Sequence, residues 1–249
     1  MLEIPKRDIQ FIRESGEILS ELLKTVSLYV NVGITTNKLD EIAFSVIDKH
    51  NAKPSFLGYE GFPKTICTSI NEEVVHGIPK DRILEEGDII GIDAGVLYKG
   101  YHTDAAITLP VGKISEEDAC LIDVTRKSLK SALKEVKDGA RLGTIGNAVQ
   151  RIAENSGFSV VRDLTGHGIG KNLHEDPSIP NFGDINTGEF IHEGQVLAIE
   201  PMVNIGDFKI KMLDDGWTFV TLDSKKSAHF ETTVLVTKNG YENMVPGLL

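Results

Sequence analysis

The chain has 249 residues, enough for one large domain or two small ones around a substantial core. Its 41% hydrophobic and 25% charged residues are the balance of an ordinary soluble globular enzyme. A net charge of −11 with no compensating basic run excludes general binding to a phosphate backbone. Cys67 and Cys120 are far apart and form no C-x-x-C, which excludes a disulfide framework and fits a reducing compartment. The start, MLEIPKRDIQFIRES, has no apolar run of signal length, and nowhere do about 18 apolar residues occur together. A cytoplasmic protein without a membrane span is expected.

In chain order, Ile9, Ile12, Leu19, Leu22, Leu23 and Val26 recur at helical spacing and predict a first amphipathic helix. Thr35, Thr36 or Asn37 can cap a second, with Leu39, Ile42, Ala43, Val46 and Ile47 as its buried face. The stretch KPSFLGYEGFP, 53–63, reads as an aromatic-rich loop. Residues 66–79 read as a strand, a turn at Asn71 and a strand ending at His76-Gly77. Ser115, with Asp118 three residues on, starts a helix expected to run through Val136, with Gly139 as its stop. Thr144 to Asn155 predicts another helix terminated by Gly157, and from Phe158 onward the chain is strand-rich.

Between these lies DIIGIDAGVLYKGYHTDAAIT, 88–108, two apolar strands joined at Lys99-Gly100. With those turn residues Tyr98 faces Tyr101 and Asp93 stands opposite Ala106. Asp104, two residues from Ala106, then shares a sheet face with Asp93 on the diagonal. Two carboxylates side by side in buried strands repel each other and lose hydration, so they persist only with a shared proton or a cation between them.

Shifted by about one hundred residues, the chain repeats its order of parts. EGDIIGID (86–93) matches EGQVLAIE (193–200), each an apolar strand ended by an acid. A duplicated αβ unit would bring Asp93 and Glu200 near a pseudo-two-fold axis. No linker or low-complexity segment intervenes, so 1–249 reads as a single domain with halves at roughly 5–112 and 113–249.

The second half adds donors. Glu200 is fixed in extended geometry by Pro201, Glu231 interrupts the β-rich run 228–236 in phase with Thr233 and Leu235, and His167 sits between glycines. Asp93, Asp104, Glu200 and Glu231 carry four negative charges, which two divalent cations neutralise. With His167 they form a sensible shell for a paired-metal site. Carboxylate oxygens with one nitrogen suit manganese, iron, cobalt or zinc.

The ordered motifs VHGIP (75–79), IDAG (92–95), HTD (102–104), GHGIG (166–170), LHEDP (173–177), IEPM (199–202) and FETT (230–233) resemble methionine aminopeptidase, type I, over nearly the whole chain. The resemblance implies an α/β (α+β) pita-bread (creatinase/aminopeptidase) fold with a pseudo-two-fold internal repeat, its central antiparallel sheet covered by helices. It implies removal of the initiator methionine from nascent chains whose second residue is small. Gly188 to Ala228 leaves no room for the helical insertion of the type II form, and no extended domain precedes the first helix, so the short bacterial-type form is expected. By the same resemblance Asp93, Asp104, His167, Glu200 and Glu231 hold two divalent metal ions, Glu200 carries the proton, and His76 and His174 contact the peptide. Tyr59, Phe62, Cys67 and Trp217, with Phe56, match the methionine pocket, where a thioether meets aromatic edges. A monomer that associates transiently with the ribosome is expected, with no specific nucleic acid. His50, His102 and His192 read as ordinary core or surface side chains.

The chain departs from the family run A-Q-F-E-H-T at His229, in place of glutamine, and Thr232, in place of histidine. Leu173 stands where an aromatic is common. The ligands survive, so the reaction is kept, but the groups that orient them differ, and such groups shift metal affinity about ten- to a hundred-fold. Two alternatives compete: a prolyl-bond aminopeptidase on the same fold, and a non-catalytic peptide-binding or ribosome-associated module without metal. The first usually carries a large extra N-terminal domain; the five intact ligand positions argue against the second.

Overall fold

The structure, a computed structural model, describes Pro5 and residues 7–248. Residues 1–4, 6 and 249 lie outside it, and with them the very start of the N-terminal stretch and the last residue of the second half. Helix α1 (Ile9–Ser27) buries Ile12, Leu19, Leu22, Leu23 and Val26 along one stripe, as its periodicity predicts. Helix α2 (Thr36–Lys49) is capped by Thr35, whose hydroxyl accepts from Lys38 N. Its buried face holds Leu39, Ala43, Val46 and Ile47, with Ile42 at the margin. Strand β1 (Lys53–Pro54), the aromatic loop and its single 3-10 turn lead into β2 (Ile66–Ile70) and β3 (Glu73–Val75), joined through Asn71 at φ 57°.

The long hairpin is β4 (Ile89–Tyr98) and β5 (Tyr101–Pro110). Lys99 and Gly100 both have positive φ, the turn that matches strand twist, and this fixes the register with Asp93 opposite Ala106. Helix α3 (Glu116–Leu133) is capped by Ser115. It stops short of the expected Val136 because Glu135 and Val136 bond back three residues, tightening the last turn while Val136 stays buried. Helix α4 (Leu142–Asn155) begins before the expected Thr144. Leu142 N and Gly143 N donate to Glu189 O and Thr187 O, so a distant loop caps the helix where no capping side chain does.

Ten short strands follow: β6 (Ser159–Val160), β7 (Thr165–Gly168), β8 (Glu175–Pro180), β9 (Val196–Ile199), β10 (Met202–Asn204), β11 (Ile210–Met212), β12 (Phe219–Thr221), β13 (Ser227–His229), β14 (Thr232–Thr237) and β15 (Gly240–Asn243). Strand β4 pairs with β1, β2 and β5, and β15-β14-β9-β7-β8 form a second antiparallel sheet. The run 228–236 is therefore not one strand. It breaks at Phe230-Glu231, where β13 pairs with β10 and β14 with β9. Glu231 N donates to Ala106 O, and Ala106 N to Glu231 O, so the break is what stitches the two sheets together.

The sequence repeat is repeated in hydrogen bonds. Gly33 N donates to Leu84 O as Gly139 N does to Ile191 O; Leu84 N donates to Ile34 O as Ile191 N does to Ala140 O. Gly87 N meets Val111 O as Gly194 N meets Val236 O, both glycines near φ 90°. The four helices and the inner sheet faces share the main apolar cluster, and a second cluster, including Phe56, Phe62, Cys67 and Leu173, lies beside the acids.

Candidate active site

Antiparallel pairing decides which side chains meet. Asp93 is the register partner of Cys67 on β2 and of Ala106 on β5, so the three share a face, with Asp104 one diagonal away. Gly95, opposite Asp104, has no room for a side chain: a Cβ there would stand 2.6 Å from Ser55 Cβ and 2.9 Å from Phe56 Cε1. The aromatic loop can therefore close over the acids only because residue 95 is glycine. From the other sheet, Thr233 Oγ1 accepts from Asp104 N at 2.8 Å and donates to Asp104 O at 2.7 Å, tying the Asp104 backbone to the strand that begins just after Glu231.

One donor atom each from Asp104, His167 and Glu231 lies within 4.8 Å of the other two. His167 Nδ1 faces Gly168 O at 2.8 Å. A carbonyl only accepts, so Nδ1 carries the proton and Nε2 is left as a lone-pair donor facing Glu200 Oε1 at 3.7 Å. Asn181 Nδ2 donates to Glu200 O and anchors that residue beyond the end of β9. Asp93, Asp104 and Glu231 are 9%, 4% and 2% exposed. Among the described residues, Asp93 Oδ1, Asp104 Oδ1 and Glu231 Oε1 are buried oxygens with no hydrogen-bond partner.

Such a set is costly as it stands. Burial pushes Asp93 up to about 6 and Glu200 up to about 8, and burial together with Asp93 lifts Asp104 well above the carboxylate range. Burial and Asp104 do the same to Glu231. Orphaned carboxylate oxygens converging with one imidazole nitrogen are what a divalent cation requires, so the residues present fit a metal.

The acids form the floor of a cavity of about 210 Å³. Its walls are Phe56, Phe62, Cys67, Leu173 and Trp217; Phe62 packs edge-on against Trp217 at 5.0 Å. Tyr59, His76 and His174 stand at its rim, with the Tyr59 hydroxyl 2.9 Å from His174 Nδ1 and the His174 ring 4.4 Å from that of His167. Burial, then neighbouring histidines, hold His76 and His167 at about 4, and burial lowers His174, so these imidazoles are neutral at pH 7 and bring no charge to repel a cation. His76 has φ 60°, uncommon for a residue with a side chain; it turns out of β3 directly into the cleft. An open groove of about 610 Å³ shares His76, His167, His174 and Glu200 and leads to solvent.

All eleven residues expected of the site thus line one cavity. His50 instead bonds Glu21, His102 bonds Ser55 Oγ, and His192 lies exposed beside Asp138. Sequence reasoning missed Glu60, which lines the cavity at φ 48° between Tyr59 and Gly61, and the latch role of Thr233. Only the glycines flanking G-Y-E-G hinted at the first.

The profile of metallopeptidase family M24 matches residues 10–238. The chain belongs to that family. Methionine aminopeptidase 1 of Bacillus subtilis is 50% identical to this M24 chain over 236 residues, covering 95% of each. The crystal structure of methionine aminopeptidase from Thermotoga maritima superposes with a TM-score of 0.97 at 40% identity, over 99% of this chain and 100% of that one. The prolidase from Pyrococcus furiosus shares the fold at a TM-score of 0.80 and 21% identity, with only 65% of its length covered. The pita-bread architecture read from the motifs is therefore that of this M24 metallopeptidase, and divalent-metal chemistry comes with the family. Among the described residues no helix is long and apolar enough to cross a membrane.

Proposed function

We propose that this M24 metallopeptidase is a methionine aminopeptidase, releasing the initiator methionine from nascent polypeptides whose second residue is small. The observation that carries the reading is one cavity lined both by orphaned carboxylate oxygens and by the apolar side chains of Phe56, Phe62, Cys67, Leu173 and Trp217. The part of that cavity lined by Phe62, Cys67, Leu173 and Trp217 suits one unbranched apolar side chain ending in a polarisable sulfur.

Asp93, Asp104, His167, Glu200 and Glu231 would hold two divalent ions, of cobalt, manganese, iron or zinc. When bound, such ions supply Lewis acidity and lower the pKa of water toward neutrality. Glu200, which lines the cavity beside the other acids just past the end of β9, takes the proton of the attacking water and hands it to the departing amine. His174, steadied by Tyr59, and His76 hydrogen-bond the scissile amide and the oxyanion that develops from its carbonyl. The open groove beyond receives the rest of the chain. We also read the protein as a cytoplasmic monomer, one folding domain, that meets its substrates at the ribosome.

The test compares Met-Ala-Ser with Ala-Pro-Ala under several divalent ions, without oxygen, before and after chelation. Metal-dependent release of methionine is the expected result. Preference for the prolyl peptide, or no peptidase activity with any metal, would sink the assignment.

A further inference from the structure

His229 is absent from the roles assigned so far, yet it brings a buried, unpartnered nitrogen to the edge of the site among the described residues. It is 3% exposed, and its Nε2 is a buried nitrogen with no hydrogen-bond partner among the described residues. That nitrogen points between two carboxylates, 3.5 Å from Glu200 Oε2 and 4.0 Å from Glu231 Oε2. The backbone beneath it cannot drift. His229 N donates to Thr108 Oγ1 at 2.9 Å, Thr108 Oγ1 donates to His229 O at 2.8 Å, and Met202 is its partner across β10 and β13. An imidazole kept only for packing would be replaceable by an apolar ring without the cost of a buried, unmet donor.

We propose that His229 is the positioning residue for Glu200: its Nε2–H is the donor that fixes the orientation of the carboxylate. With divalent ions held at the site the carboxylates on either side would be ionised and accept only, which selects the Nε2–H tautomer. A small rotation of the Glu200 carboxylate closes 3.5 Å to a hydrogen bond, the kind of adjustment common when substrate binds. The donor also explains why His229 can stand where the family run has glutamine. The glutamine amide Nε2 and the histidine Nε2–H are both donors at the end of a side chain of similar reach. This inference rests on the proposed reaction, in which Glu200 moves the proton.

The experiment uses the full chain as wild type, His229→Gln, His229→Leu and His229→Asn. Turnover of Met-Ala-Ser is measured with Mn²⁺, and Mn²⁺ affinity of the metal-free proteins by calorimetry, with thermal melts as a check on folding. Leu, and Asn whose amide is too short to reach, should lower kcat about ten- to a hundred-fold with KM nearly unchanged, and weaken Mn²⁺ binding about ten-fold. Gln should restore both. Wild-type turnover and affinity in Asn and Leu would reduce His229 to packing, and a Gln variant as impaired as Leu would rule out the donor. Should the wild type release no methionine, the functional reading fails, while Mn²⁺ affinity across the same variants still decides the role of His229.

Discussion

At Glu200 burial alone lifts the carboxyl to about 8, and a cation beside it favours the ionised form that can accept a proton. Glu200→Gln keeps the shape and removes the exchangeable proton. It should cut kcat about a hundred- to ten-thousand-fold while the melting temperature of the metal-free protein does not fall, because a buried acid has been neutralised; steady-state kinetics beside a thermal melt in chelator checks both halves. Gly95 is the other residue on which geometry turns. Gly95→Ala drives a methyl into Ser55 and Phe56 and should cost about 1–3 kcal/mol by denaturant melt, with a raised KM as the aromatic loop is pushed off the cavity. The identity of both residues was open to sequence reading; the contact that makes Gly95 necessary was not, since Ser55 and Phe56 are forty residues away in the chain.

Among elements, β14 explains one departure from the family run. The Thr232 hydroxyl donates to Asn243 Oδ1 at 2.9 Å, toward β15 and away from the cavity. Thr232→Val should therefore lower stability by about 1 kcal/mol and leave kcat and KM alone. The pair joining α1 to the C-terminal hairpin gives a pH signature. Arg13 holds Glu242 by two bonds, 2.6 and 2.9 Å, and lowers its pKa. A depressed acid stabilises the fold above its unfolded pKa, about 4.3, and that contribution is lost as pH falls through the lower folded value. Both side chains are about two-fifths exposed, so Arg13→Met should cost only about 0.5 kcal/mol at pH 7. Chemical melts at pH 7 and pH 3 should show that difference shrink in acid.

For the molecule as a whole, repulsion among four buried acids is the term a metal removes. Stripping the metal should lower the melting temperature, and a divalent ion at about a hundred times its Kd should restore about 2.7 kcal/mol. Calorimetry with and without chelator measures it. The Glu231-Ala106 bonds and the Arg13-Glu242 pair tie the halves 5–112 and 113–249 across their boundary. We propose that the halves unfold as one unit. A single transition with equal calorimetric and van't Hoff enthalpies is expected; two resolved transitions would divide the domain.

The sequence by itself determined what depends on neighbours in the chain. Helical spacing in α1 and α2, the Ser115 cap, the Lys99-Gly100 turn and hence the Asp93-Ala106 register all follow from local sterics and alternation. The EGxxxxI strand, repeated at 86–92 and 193–199, made the pseudo-symmetry legible as a likeness between two local segments. Only the tertiary structure decided where long-range partners intervene. The cap on α4 comes from residues near 188, the chain crosses between sheets at Phe230-Glu231, and His229 Nε2 is left facing Glu200. Those outcomes are set by which backbone groups find partners across the fold, and no window of neighbouring residues carries that information.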